Sequence, residues 1–302
     1  MRILTDADVD RLPLAPLIAA VRTQIIADAR GEAVAPPRHL VDFAHGSLVF
    51  TIGGDKRLAG FRAYQTFAKP GHAQDDQIIA AWDQQTGEML GLAIGNKLGA
   101  LRTGIIGAIA ADVLAPRNAR ILTIVGTGRQ AETQLLAIST ARAFDEVRVV
   151  GRRRETTATF AERLAVRLGR TIASSTDARA ALDGADAVVL ATTAEQPVIE
   201  AGWLEPHAYV ASIGPKSREA HELPLELADR AGIIATDSPQ QIARMGESHM
   251  LFGRSAYDRI EHLGKLAADG EPLVAGPALF LSIGLAGTEV ACLAAALEHL
   301  PA

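Results

Sequence analysis

The chain has 302 residues, 48% of them hydrophobic, so it can bury a large core and suits two domains. A formal net charge of only −5 excludes the strongly basic surface that nucleic acid requires, and no nucleic-acid partner is expected. The single cysteine, Cys292, excludes an intramolecular disulfide and suits a reducing cytoplasm, which is the expected location.

The first residues, Met1 to Asp8, lack the basic-then-apolar layout of a signal peptide. No His/Cys cluster has zinc spacing, so no metal is expected. Leu14, Leu17, Ile18, Val21 and Ile25 recur at helical spacing and predict a helix over 14–30, stopped by Gly31. Pro36-Pro37 breaks the chain before five extended runs, 38–43, 47–52, 60–67, 77–82 and 89–94. The segment 83–88 between the last two has turn composition, which predicts a hairpin. This region reads as a mostly antiparallel sheet. A helix over 101–114, ended by Pro116, leads out of it.

The stretch 119–154 carries the clearest chemistry. Ile121-Leu122-Thr123-Ile124-Val125 is a short β-branched apolar run suited to a buried strand. Gly126-Thr127-Gly128-Arg129-Gln130-Ala131 follows at once, a helix runs to about Phe144, and Val147-Arg148-Val149-Val150 forms a second strand. Strand, glycine turn, helix and strand make the βαβ unit that binds dinucleotides. Gly126 permits the tight turn, Gly128 lets the backbone approach a pyrophosphate, and Ala131 lets helix and strand pack closely. Thr127, Arg129 and Gln130 complete the turn around the phosphates. The plainer reading is a glycine turn that merely ends a strand. At the end of the second strand an acid would accept from the ribose 2′-hydroxyl of NAD, whereas an arginine accommodates a 2′-phosphate. The chain offers Arg152, Arg153 and Arg154 there, with no acid until Glu155. NADP(H) is therefore the expected cofactor, with NAD(H) the alternative and a solvated arginine run the plainer reading.

Further strands are expected at 171–173, 187–191, 208–213 and 232–236, with helices at 155–168 and 175–182 between some of them. Six strands fit a doubly wound sheet, whose ligands lie beyond the carboxyl ends of its strands. That places Thr192, Thr193, Ser212 and Gly214 near the cofactor by topology, although each also suits an ordinary turn. The segment 275–297 is apolar, but Glu289 and several glycines interrupt it and no basic flank anchors it. It reads as a strand or loop followed by a buried helix at a subunit contact, and not as a membrane span.

The block 101–111, then Leu114-Ala115, then Ile124-Val125-Gly126-Thr127-Gly128-Arg129-Gln130-Ala131 resembles the ornithine cyclodeaminase/mu-crystallin family. That family shows an LRTAA-like helix start and a GxGxQA turn at this spacing. Ser282-Ile283-Gly284-Leu285-Ala286 with Glu289 is similar to its SxGLAxxD element, and Glu222-Leu223 to its REL segment. The resemblance covers nearly the whole chain. It implies an α/β protein in which a Rossmann-type doubly wound parallel sheet over 116–279 joins an α+β substrate and dimerisation domain made of 1–115 and 280–302. It also implies hydride transfer between a nicotinamide and the α-carbon of an amino or imino acid, with Thr103 near the cofactor. A two-fold homodimer is expected, since the first sheet and the helix ending near Leu297 need a partner surface.

Members hold the substrate carboxylate with two arginines and a lysine. Arg38 and Arg102 match the arginines, but the lysine strand reads Gly60-Phe61-Arg62. Arginine grips a carboxylate bidentately, yet its pKa above about 12 makes it useless for proton transfer. Arg62 and Arg102 are expected to clamp one carboxylate, and any acid–base role would pass to Lys69 or Lys97. The loop 214–222 has no aspartate where the cyclodeaminase needs one, and Glu219 is a weak substitute for it. His45 and His72 are candidate proton donors or simply solvated. Asp75-Asp76 reads as a turn, and 246–249 is a candidate cleft segment. These departures favour an NADPH-dependent reductase of a small imino or keto acid. The alternatives are an NAD-dependent cyclodeaminase-type lyase and a crystallin-like NADPH-binding protein with little turnover.

Overall fold

Six strands of the N-terminal part pair in the order β1-β6-β5-β4-β3-β2. They are β1 (Arg2–Thr5), β2 (His39–Phe43), β3 (Gly46–Gly54), β4 (Leu58–Gln65), β5 (Gln77–Asp83) and β6 (Met89–Ile94). The computed structural model describes residues 2–67, 77–270 and 275–300. Lys69, His72 and the Asp75-Asp76 pair lie outside the described residues. Strands β2 to β6 form the expected antiparallel meander, and the predicted hairpin closes with Asp83 Oδ1 accepting from the backbone N–H groups of Gln85 and Thr86. The sequence reading has no counterpart to β1, which joins β6 in parallel. Four residues are too few to display a strand period, and only the partner strand makes them one.

Alternation along the strands gives this sheet two unlike faces. Val49, Leu58, Ile79 and Ala93 lie on the inner face and are buried. Against that face packs the helix Thr288–Glu298, whose Val290 and Leu297 sit against Gly60 and Gly91. That helix was expected at a subunit contact. Its own unit covers it instead, and Thr288 to Leu297 are all buried within one chain. The outer face carries Ile3, Val41, Phe43, Ile52, Ile78 and Ile94, all exposed, with Phe43 at 53% and Ile52 at 54%.

The second sheet has eight parallel strands in the order β13-β12-β14-β11-β10-β7-β8-β9. These are β7 (Ile121–Val125), β8 (Glu146–Val150), β9 (Ala173–Ser175), β10 (Ala187–Leu190), β11 (Tyr209–Ser212), β12 (Ile233–Thr236), β13 (Ile260–His262) and β14 (Ala278–Leu281). The expected six become eight. Strand β13 is only three residues long, and β14 falls in the apolar run 275–297, whose first part reads as a strand or loop in the sequence without being counted in this sheet. Strand β14 inserts between β11 and β12, so chain order and sheet order part company there. The helix expected at 175–182 starts at Ala178, where Asp177 accepts from the Ala180 N–H as its cap, and Ser175 stays in β9. Among the described residues no helix is long and apolar enough to cross a membrane.

The chain forms two compact units, one up to Arg102 together with Gly284 onward, the other Thr103–Ile283. The first break falls inside the helix Lys97–Leu114, not at 115/116, and the return falls at 283/284, not at 279/280. From Thr103 onward the helix is tied to the second unit. Gln134 Nε2 donates to the Thr103 carbonyl at 3.1 Å, and Arg142 Nη1 donates to the carbonyls of Ala111 and Ala115 at 3.0 and 2.9 Å. At the other end, Leu281 is still part of the second sheet.

Candidate functional site

The switch point of the second sheet lies between β7 and β10, where the strand order reverses. A cleft of about 490 Å³ opens there at the carboxyl ends of β7, β8 and β10. Gly126, Thr127 and Gly128 form one wall, Gly151 and Arg152 a second, and Thr192 and Thr193 a third. Gly126 has φ +128°, and a Cβ there would stand 2.3 Å from the Ala191 carbonyl, so only glycine fits. A Cβ on Gly128 would meet nothing within 4 Å, so that space is left for a ligand. Gly128 caps the helix Arg129–Ala141 without a side-chain bond, which leaves its first N–H groups to serve an anion. Ala131 is fully buried behind the turn. Arg129 and Gln130 begin the helix, and Arg153 is exposed beside Arg152; none of these three lines the cleft.

Glu222 explains three of the remaining residues. Its carboxylate is fully buried and accepts five hydrogen bonds. The donors are Thr192 N (2.8 Å), Thr192 Oγ1 (2.7 Å), Ser212 Oγ (3.1 Å), Ile213 N (3.0 Å) and Gly214 N (2.6 Å). A buried carboxylate requires such donors. The loops after β10 and β11 are thereby tied into one frame. Ser212 is wholly buried and turned toward Glu222, so it belongs to that frame and not to the cleft wall. Thr103 also lies away from the described cleft lining.

Behind this frame, Lys216 is buried and its Nζ donates to the Gly214 carbonyl at 2.7 Å. His249 is buried against the Tyr257 ring, with its Nδ1 accepting from Leu251 N at 3.2 Å. Burial, aided by the Lys216 charge, pushes the His249 pKa down to about 4. Of the candidate segment 246–249 only His249 packs inward, Glu247 and Ser248 are exposed, and none of the four lines the cleft; Glu219 is exposed.

The arginines lie in the other unit. Arg62 projects from the inner face of β4 with its Nη1 3.3 Å from Glu289 Oε1. Its Nε donates to Gln77 Oε1 at 2.8 Å, and its guanidinium lies 4.3 Å from the Tyr64 ring centroid. Arg102 Nη2 reaches the same Glu289 oxygen at 3.0 Å. Thr51 Oγ1 and Thr288 Oγ1 add longer bonds to Glu289 of 3.5 and 3.4 Å. Burial alone would raise the Glu289 carboxyl, but Arg102 and Arg62 outweigh it and hold the group below its ordinary value. A Cβ on Gly284 would lie 3.0 Å from Arg102 Nη1 and 3.5 Å from Arg38 Nη2, so the two guanidiniums border one small space. Among the described residues, Arg102 Nε and Nη1 are buried with no hydrogen-bond partner.

The structure therefore gathers Arg38, Arg62 and Arg102, and adds Glu289 and Gln77, which the residues alone did not single out as their partners. Lys97 is paired with Asp10, and His45 is exposed in the turn between β2 and β3. Among the described residues, no group of three or more His, Cys, Asp or Glu could hold a metal ion.

Comparison with known proteins points one way. A Rhizobium meliloti protein is 32% identical over 208 residues, 68% of this chain but 63% of that protein, so the chain spans under two-thirds of that relative. The Mus musculus ketimine reductase mu-crystallin is 26% identical over 232 residues, covering 76% of this chain and 71% of that protein. Among solved structures, Thermococcus litoralis Delta(1)-pyrroline-2-carboxylate reductase in complex with NADH and L-proline aligns with a TM-score of 0.85 at 25% identity, covering 99% of this chain and 97% of that one. The ornithine cyclodeaminase/mu-crystallin family itself matches residues 2–300, and the chain belongs to that family.

Proposed function

We propose that the protein binds NADPH in the cleft beside β7 and reduces a small imino acid, or a keto acid together with an amine, to an amino acid, gripping the substrate by its carboxylate. The observation that carries this reading is Nη1 of Arg102. It is buried and lacks a partner among the described residues, and Arg38 stands across Gly284 from it. Buried donors without acceptors are costly, and a carboxylate offers two oxygens that neighbouring guanidiniums can share. Arg62 gives Nη1 to Glu289 and Nε to Gln77, so the clamp centres on Arg102 Nη1, with Arg38 across Gly284 and Arg62 at its border.

The cleft residues fit the cofactor. The open space at Gly128 and the uncapped helix start suit a pyrophosphate, and Arg152 on the wall suits a 2′-phosphate. When bound, the nicotinamide supplies a hydride. A substrate arriving as iminium becomes the amine on hydride addition with no further proton, which agrees with a clamp built of arginines. The Thermococcus litoralis relative was solved with NADH. The choice of NADPH rests on Arg152 and on the lack of an acid before Glu155. The outer face of the first sheet, open and apolar, supports a homodimer in which a second copy covers it. One buried cysteine suits a reducing cytoplasm.

The test is NADPH oxidation, followed by nicotinamide absorbance, with pyrroline-2-carboxylate, piperideine-2-carboxylate, or pyruvate plus an amine. Turnover of at least one is expected. Proline release from ornithine would establish the lyase instead, and tight NADPH binding without turnover on this panel would establish a binding protein.

A further inference from the structure

We infer that Glu289 is a positioning residue, whose carboxylate holds the Arg102 guanidinium by Nη2 so that Nη1 faces the substrate carboxylate in the space beside Gly284. This deepens the carboxylate-clamp reading above and rests on it. Glu289 sits in the first turn of the helix Thr288–Glu298 and is 1% exposed. Its Oε1 alone meets two cations, Arg102 Nη2 at 3.0 Å and Arg62 Nη1 at 3.3 Å.

Two buried guanidiniums side by side repel each other, and burial and Arg102 together lower the Arg62 pKa against the pull of Glu289. A single shared anion lets both stay in place before any substrate arrives. It also settles which atoms remain. Glu289 consumes Nη2 of Arg102, and Gln77 consumes Nε of Arg62. What is left on Arg102 is Nη1, with Nε on the other side of the group, both buried and without a partner among the described residues. Nη1 borders Gly284, where a side chain would crowd it. The carboxylate of Glu289 thus acts through Arg102 and does not itself meet the substrate.

Two roles for Glu289 predict opposite signs. A group that only balances charge weakens anion binding, so neutralising it would tighten the grip on a carboxylate. A group that aims Arg102 strengthens binding, so neutralising it would loosen the grip. The experiment uses the NADPH-loaded protein and L-proline or L-alanine as the carboxylate probe, since an amine and a reduced cofactor cannot react together. For Glu289→Gln the expected result is probe binding at least about tenfold weaker, with NADPH affinity unchanged as the control for folding. In turnover assays KM for the imine should rise by a similar factor while kcat moves less. Glu289→Asp keeps the charge on a shorter arm; its probe binding should lie between that of the wild type and Glu289→Gln, and should still be weaker than wild type where the amide variant folds poorly. Unchanged or tighter probe binding in either variant overturns the positioning role. Failure of the wild type to bind either probe overturns the carboxylate reading itself, a distinct outcome.

Discussion

Arg102 Nη2 lies 3.0 Å from Glu289 Oε1, with both side chains almost wholly removed from water. Arg102 is therefore anchored at Nη2 and open at Nη1. Arg102→Lys keeps a positive charge for Glu289 but has no second donor nitrogen for the substrate. Carboxylate binding should weaken by roughly 1.5–3 kcal/mol, the scale of a lost charge-assisted bond. Arg102→Met removes the charge as well and leaves Glu289 to Arg62 alone, so it should also lower unfolding stability, by up to about 3 kcal/mol. Isothermal titration with L-proline and a urea melt separate the two effects.

Cofactor choice should turn on Arg152. It lines the cleft beside Gly151 and is exposed, so it is free to meet a phosphate dianion. Arg152→Ala should reduce NADPH affinity by about tenfold to a hundredfold and leave NADH affinity within about threefold. Fluorescence titration of both cofactors checks this. Equal losses for the two would show that Arg152 does not read the 2′ position.

The open sheet face should govern assembly. Ile52 is 54% exposed and pairs with Phe61 in the middle of that face. A second copy would bury this surface, and a charge there would be desolvated. Light scattering should therefore report a dimer for the wild type and a monomer for Ile52→Glu. A wild-type monomer at micromolar concentration would leave the face without its proposed cover.

Acid stability should depend on His249, whose pKa of about 4 lies below the ordinary 6.5 because of burial and the nearby Lys216 charge. Between those two values the unfolded chain takes up a proton that the folded one refuses. Stability is then full above about pH 6.5 and falls as the pH drops toward 4, by up to roughly 3 kcal/mol. His249→Gln does not titrate and should show a flatter slope across that window. Urea midpoints of both proteins in the same buffers cancel the contributions of other groups. Parallel slopes would show that His249 titrates normally.

Much of this architecture is legible in the sequence. The helix at Leu14–Ala29, the meander β2 to β6, and the strand–turn–helix at Ile121–Ala141 follow from period, proline breaks and glycine placement. All of these are local properties of the chain. The strands β1 and β13 escaped because three or four residues carry no period, and a strand that short exists only through its neighbour. Strands β13 and β14 bring the second sheet to eight strands, past the six that the α/β alternation predicted.

What the residues determined alone was the class of fold, the dinucleotide turn with its Gly126 and Gly128, and the presence of three arginines suited to a carboxylate. Only tertiary structure decided which donors are spent. Arg62 and Glu289 are 227 positions apart, and Thr192 and Glu222 are 30 apart, so no pattern along the chain announces either pairing. Burial decides it. Once water is excluded, each buried charge must find its partner within the fold. That requirement ties Ser212 and Gly214 to Glu222 and ties Arg62 to Glu289, leaving Nε and Nη1 of Arg102 buried without an acceptor among the described residues.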